Sequence, residues 1–119
     1  MNPSILPSKS FDKNYLLRLL SGNVEMMGVV LNEISHNVPH CLNEINSSLN
    51  AKDTLGVVTF ASRARSAFSI LREDKLAEAF MNIERSARNG EMSEAQVLFS
   101  NIFPVTLSCI HSIQTAVSA

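Results

Sequence analysis

The sequence lacks most of the residues that a turn-rich β fold requires. Its 119 residues include no tryptophan, four glycines and four prolines. The apolar residues, 45% of the chain, are mainly Leu, Ile, Val, Met and Ala at helical spacings. This length and this content suit one domain with one core. The composition therefore predicts an all-α protein.

No block of like charge is present either. Ten basic and eleven acidic residues give a net charge of -1. A protein that binds nucleic acid needs a basic stripe to displace counterions from phosphates. Nucleic acid is therefore excluded as an expected partner.

The sequence gives little indication of reactive cysteines, a membrane-spanning segment or a signal peptide. Cys41 and Cys109 are far apart, match no metal-ligand spacing and fall on apolar helix faces, so we predict buried free thiols. No segment is expected to reach the ~20 apolar residues of a membrane span. Residues 1–10 have no apolar core of signal-peptide length, so the default expectation is a cytoplasmic protein.

The apolar periodicity predicts five helices after a flexible arm at residues 1–10. The first three predicted helices cover residues 11–20, 24–50 and 52–72, and the last covers residues 93–117. The fourth begins at Glu73 and ends at Asn89-Gly90. Pro39 and Pro104 are expected to kink the second and last helices. Short connections between long amphipathic helices place neighbours antiparallel. Residues 11–119 are thus predicted to form an antiparallel up-down four-helix bundle with a short extra N-terminal helix.

The third helix has an unusual outer face. Its core side is predicted to hold Val57, Ala61, Ala64, Phe68 and Leu71. The opposite side has no acidic residue and is small at its centre; it carries Leu55, Val58, Thr59, Ser62, Arg65, Ser66 and Ser69. Such a surface favours docking of another protein. The alternative is that Ser and Thr simply occupy ordinary surface positions.

Several segments of the chain form one pattern in a common register. The longest is Ala61-Ser62-Arg63-Ala64-Arg65-Ser66-Ala67-Phe68. The others are Phe11-Asp12, Tyr15-Leu16, Leu20-Ser21-Gly22, Val38-Pro39, Lys52-Asp53, Ile83-Glu84 and Ala87-Arg88-Asn89-Gly90. Together these segments resemble the histidine phosphotransfer (HPt) domains of two-component phosphorelays, and residues 61–68 fall on that family's signature Ala-His-x-x-Lys-Gly/Pro-Ser-x. The resemblance covers residues 11–117 and implies a four-helix bundle that exchanges phosphoryl groups with receiver domains.

The chain departs from the family at the decisive position. Ser62 stands at the position of the phospho-accepting histidine, and Arg65 stands at the position of the lysine. Ser66 stands at the position next to the lysine, where the family also has a small residue. The resemblance therefore implies a pseudo-HPt protein that docks a response-regulator receiver domain, or a hybrid sensor kinase, without carrying phosphate. The expected docking residues are Leu55, Val58, Thr59, Ser62, Arg63, Arg65, Ser66 and Ser69, with Arg63 and Arg65 facing an acidic receiver site.

Catalysis is not expected. A serine hydroxyl needs an adjacent base, and one helical turn away the same helix supplies none: Val58, Thr59, Arg65 and Ser66. His36 and His40 have an i, i+4 spacing that can ligate zinc, but their predicted outward position without further ligands favours solvated side chains, as for His111. We therefore expect no metal and no cofactor.

Two alternatives stay open. One is a structural or scaffold bundle that binds an unrelated protein or self-associates. The other is phosphotransfer through a different histidine.

Overall fold

The structure is a computed structural model that describes residues 12–118, which form five helices and no strand. The helices are α1 (Lys13–Leu19), α2 (Val24–Asn50), α3 (Thr54–Ile70), α4 (Asp74–Arg88) and α5 (Met92–Ser118). The all-α prediction is confirmed. The predicted arm at residues 1–10, and the predicted start of α1 at Phe11, lie outside the described residues.

Polar side chains define where the helices begin. Asn23 accepts a hydrogen bond from the Met26 amide at 2.9 Å and caps α2, as the sequence predicted. Asp53 accepts one from the Gly56 amide at 3.1 Å and caps α3. Each cap pairs a backbone N–H that has no partner within its own helix. The starts of α2 and α3 are thus fixed by local chemistry.

Left-handed residues end the helices, and only some of them are glycine. Gly22 and Gly90 have φ of +77° and +78°, the conformation in which glycine carries no Cβ penalty. Lys52 and Arg72 adopt φ of +56° and +57° after α2 and α3. The amide of the following residue then reaches back into the helix, as from Asp53 to the Ser48 carbonyl at 2.8 Å. These compact ends allow connections of three residues.

The core lies among the four long helices. α2 packs against α3 and α5, and α4 packs against the same two helices. All five residues predicted for the core side of α3 are fully buried. Phe68 of α3 stacks on Phe80 of α4 with ring centroids 5.6 Å apart. α1 buries Leu16, and the Tyr15 ring lies 4.7 Å from the Arg72 guanidinium carbon, an attractive cation–π contact at the end of α3.

The kinks predicted at Pro39 and Pro104 stay predictions, whereas the expectation that no segment reaches the length of a membrane span was wrong for α5. Both α2 and α5 continue without interruption through Pro39 and Pro104. Met92–Val117 of α5 is also long and apolar enough to cross a membrane by length and composition. Core helices of soluble proteins pass the same test. α5 does bury one side, through Phe99, Ile102 and Ile113 among others.

Candidate functional site

The outer face of α3 is a shallow surface of small side chains. Leu55 at its start is 76% exposed, and Ser66 and Ser69 are exposed further along the helix. Val58, Thr59 and Ser62 are half-buried, between this surface and the core. The Ser66 hydroxyl donates to the Ser62 carbonyl at 3.2 Å and therefore lies close to the helix backbone. Ser62 thus lies in the middle of α3, and the side chains beside it on the outer face are short.

Ser62 is hydrogen-bonded to the cation one turn further along α3. Arg65 donates from Nη2 to the Ser62 Oγ at 3.2 Å. The side chain of Arg65 is 35% exposed, so the guanidinium is partly withdrawn from water. The serine oxygen therefore accepts a bond from a permanent cation, and Arg65 cannot serve as a base because a guanidinium is always protonated.

An acidic residue from α4 completes this site. Glu84 is only 13% exposed in its side chain, and its Oε1 lies 3.5 Å from Arg65 Nε. Neither atom has a hydrogen-bond partner within residues 12–118, so the contact is an electrostatic attraction between opposite charges. The other oxygen, Oε2, lies 3.0 Å from Arg88 Nη2. Two guanidinium groups thus hold one largely buried carboxylate, and this arrangement orients Arg65 toward Ser62.

The outer face of α3 was predicted to have no acidic residue. This holds for the residues of α3 itself, but not for the surface that α3 forms together with α4. Packing of α4 against α3 brings Glu84 to the border of the face. The sequence of α4 indicates one of these contacts, because Glu84 and Arg88 have the i, i+4 spacing of a helical ion pair. The contact across helices between Arg65 and Glu84 was missed, since it depends on how the two helices pack.

Arg63 lies apart from this group, although the sequence placed it in the same site. Its guanidinium carbon lies 5.1 Å from the centroid of the Phe60 ring, a cation–π distance. Phe60 meets His40 of α2 edge to face, with centroids 5.8 Å apart. Arg63 therefore lines a groove of about 450 Å³ between α2 and α3. Arg63 and Arg65 border the α3 face on opposite sides.

The three histidines belong to α2 and α5, so α3 has none. All three are exposed, as predicted. The Nδ1 atom of His36 lies 2.8 Å from the Asn32 carbonyl oxygen on the same helix. Within residues 12–118, no three His, Cys, Asp or Glu side chains are placed to hold a metal ion.

Both cysteines are free and buried, as the sequence predicted. Burial raises the pKa of the Cys41 thiol, while the positive charge of Arg63 partly opposes this shift. Burial also raises the pKa of Cys109 from its ordinary value of 9.0 to about 12, and the carboxylate of Glu73 adds to the effect. Neither side chain is set up as a thiolate nucleophile, because both environments favour the protonated form.

The fold is similar to that of a histidine-containing phosphotransfer protein. A solved structure with this fold is histidine-containing phosphotransfer protein B (HptB) from Pseudomonas aeruginosa PAO1, which matches with a TM-score of 0.75 over 93% of each chain. Sequence identity between the two is 19%, so this likeness concerns the fold. No model of a known protein family matches the sequence, and the comparison with curated proteins found no match.

Proposed function

We propose that this protein is a pseudo-HPt signalling protein that docks a receiver domain on the outer face of α3 and carries no phosphate itself. The observation that carries the proposal is the hydrogen bond from Arg65 to Ser62 on a small, histidine-free surface. The fold shared with a phosphotransfer protein supports a role in a phosphorelay.

The proposal includes an antiparallel up-down four-helix bundle. Connections of three residues join α2 to α3, α3 to α4 and α4 to α5, at 51–53, 71–73 and 89–91. Such short connections reverse the chain direction between adjacent helices. The packing pairs, in which α2 and α4 each contact α3 and α5, support this arrangement.

The surroundings of Ser62 argue against phosphate transfer. To attack phosphorus, the serine oxygen must lose its proton to a nearby base. Its hydrogen-bonded neighbour, Arg65, is a donor with no proton-accepting capacity. The carboxylate of Glu84 is held by Arg65 and Arg88. A phosphate ester on serine would also be too stable to pass its phosphoryl group onward, so we propose no enzymatic activity.

The charges at the borders of the face suit an acidic partner. Arg65 and Arg88 lie on the α4 side, and the side chain of Arg88 is 61% exposed. Arg63 lies on the α2 side, over Phe60. Small side chains at the centre let a partner approach closely, while cations at the edges attract carboxylates and orient the complex. An acidic receiver active site has this complementary pattern.

Titration of the isotope-labelled protein with receiver domains of the same organism, followed by NMR, tests the proposal. One receiver is expected to shift the amide signals of Ser62, Arg65 and Ser66 in the absence of phosphate. The variant Ser66→Trp, which raises a bulky ring on the exposed face, is expected to weaken that binding at least about tenfold, or 1.4 kcal/mol. The matched control Ser108→Trp, at an exposed position of α5, is expected to leave it unchanged.

Absence of shifts at these three residues with every receiver would contradict the proposal. Equal binding by the two tryptophan variants would place the interface elsewhere on the protein. A scaffold that binds an unrelated protein would give the first of these results.

A further inference from the structure

The groove between α2 and α3, which Arg63 lines, is a second candidate binding site. We call it the α2–α3 groove, and its volume is about 450 Å³. Cavities that hold small ligands commonly measure about 300–1,000 Å³. Its floor is apolar, because Val38 and Cys41 line it and both are buried. The groove therefore has the size and the apolar floor of a site for a small molecule.

One end of the groove carries a cation. Arg63 and His40 both line the groove, and both contact the ring of Phe60. The Arg63 guanidinium carbon lies 5.1 Å from the centre of that ring, and the His40 ring lies 5.8 Å from it. The shared contact brings the two side chains together. Since a guanidinium is always charged and an imidazole can donate a hydrogen bond, this end can bind an anion.

The charge of Arg63 is not balanced by a neighbouring carboxylate. Within residues 12–118, Arg63 takes part in no ion pair, since the ion pairs found there belong to Arg65 and Arg88. At the floor of the groove, the positive charge of Arg63 affects the pKa of the Cys41 thiol more strongly than the negative charge of Glu44 does. An anion in the groove would therefore meet a positive potential.

The rest of the groove is apolar. Ile34 lies six residues before His40 on α2, and Ile70 lies seven residues after Arg63 on α3, which is about 10 Å along each helix. Both isoleucines line the groove. Among the described residues of its lining, the other ionisable side chain is Cys41. An apolar stretch thus leads away from the cationic end.

We propose that the α2–α3 groove binds a small carboxylate with an unbranched apolar tail of about eight carbons in total. The carboxylate accepts hydrogen bonds from Arg63 and His40, and the tail extends between the helices toward Ile70. A chain of about eight carbons matches the apolar stretch, because each C–C bond is about 1.5 Å long. Burial of the tail and the charge-assisted hydrogen bonds of the head both favour binding.

The cationic end suits a carboxylate better than other head groups. A planar guanidinium can donate two parallel hydrogen bonds to one carboxylate. A phosphate dianion would meet only one permanent cation in the lining, Arg63. A neutral molecule would leave the guanidinium without an anionic partner. A single negative charge on an apolar chain is therefore the chemistry that this groove recognises.

This inference goes beyond the proposed function and does not depend on it. The groove shares Arg63 and Ser66 with the expected docking residues, whereas Arg65 turns toward Glu84 on α4. Carboxylate binding is measured on the protein alone, without a receiver domain. Its failure would leave the receiver proposal standing, and failure of receiver binding would leave this inference standing.

NMR titration of the full chain with octanoate tests the proposal. The amide signals of Val38, Cys41 and Ala67, which line the groove, are expected to shift. The matched probe is 1-octanol, which has a tail of the same length without the charge. It is expected to bind at least about tenfold more weakly, because it cannot form the charge-assisted hydrogen bonds.

Two variants separate the contributions of head and tail. Arg63→Gln is expected to weaken octanoate binding at least about tenfold and to leave octanol binding unchanged. Ile70→Ser is expected to weaken binding of both probes by about threefold, because it removes apolar contact with the tail. The control Arg85→Gln makes the same change at an exposed arginine of α4 and is expected to alter neither. Circular dichroism checks that each variant keeps its helices.

Absence of shifts at these amides up to about 10 mM octanoate would overturn the proposal. Equal affinity for octanoate and octanol, or unchanged octanoate binding in Arg63→Gln, would also overturn it, because the groove would then be an unselective apolar surface. Shifts of the same amides by a receiver domain, with none by octanoate, would assign the groove to a protein partner instead.

Discussion

Cys109 is a titratable side chain that folding moves from water into an apolar interior. It is 4% exposed in α5, and its pKa rises from 9.0 to about 12. The folded protein therefore keeps the proton over a pH range in which the unfolded chain loses it. A group of this kind contributes stability below pH 9.0, and this contribution is lost as the pH rises toward 12.

We predict an alkaline loss of stability that depends on Cys109. Between about pH 8 and about pH 11, this thiol is expected to lower the free energy of unfolding by about 2 kcal/mol. Urea unfolding at both pH values measures the change. Cys109→Ala has a lower stability at neutral pH because of its cavity, but its decrease with pH is expected to be smaller. The same decrease in both proteins would show that other groups cause it.

The residues around Ser62 show what the sequence could and could not predict at this scale. The side of α3 on which Ser62 lies followed from helical periodicity, and the buried residues opposite it confirm the register. The contacts of Arg63 and Arg65 did not follow. Although they are only two positions apart in the sequence, Arg63 turns toward α2 and Arg65 turns toward Glu84 of α4. Their neighbours depend on packing between helices, which periodicity does not describe.

At the scale of elements, the contact between α2 and α3 depends on a glycine. A Cβ added to Gly56 would collide with the Ser48 hydroxyl and lie 2.9 Å from the Ser48 Cβ. At Gly28, inside α2, the same added Cβ would have no atom within 4 Å beyond the neighbouring residues and backbone of its own helix. Glycine is therefore required by close packing at one position and is unfavourable in the helix at the other.

The same substitution at these two positions is predicted to have opposite effects. Gly56→Ala is expected to destabilise the protein by about 1–3 kcal/mol, because it overpacks the contact between the helices. Gly28→Ala is expected to stabilise it by about 0.5–1 kcal/mol through higher helix propensity. Urea unfolding measures both. A gain in stability from Gly56→Ala would show that α2 and α3 do not approach as closely as the structure indicates.

Most of the helical pattern could be predicted from the sequence, and the exceptions have physical causes. Asn23 and Gly22 marked the boundary between α1 and α2 correctly, because caps and left-handed residues act locally. The predicted third helix was too long, since Lys52 and Arg72 adopt positive φ without being glycine. The kink predicted at Pro39 stays a prediction, and α2 continues as a helix on both sides of this proline, where its packing against α3 and α5 supports it.

At the scale of the whole molecule, the protein combines a fold similar to that of a phosphotransfer protein with an α3 helix that contains no histidine. The fold is shared over 93% of the chain with an HPt protein, and Ser62 lies on the outer side of α3. If the proposed function is correct, the fold presents a docking surface and the absence of imidazole prevents phosphate transfer. Partner binding and phosphate transfer are then separable properties of one surface.

Phosphate transfer to a Ser62→His variant tests this central claim most directly. The variant is incubated with a phosphorylated receiver that binds the wild type, and acid-labile phosphate on the variant is measured. The account predicts that Ser62→His gains acid-labile phosphate, because imidazole is a nucleophile near neutral pH and the receiver still docks beside it. Wild type and the control Ser69→His, about 10 Å along the same exposed face, are predicted to gain none. Phosphate on the wild-type protein, or none on Ser62→His although the receiver binds, would contradict the account.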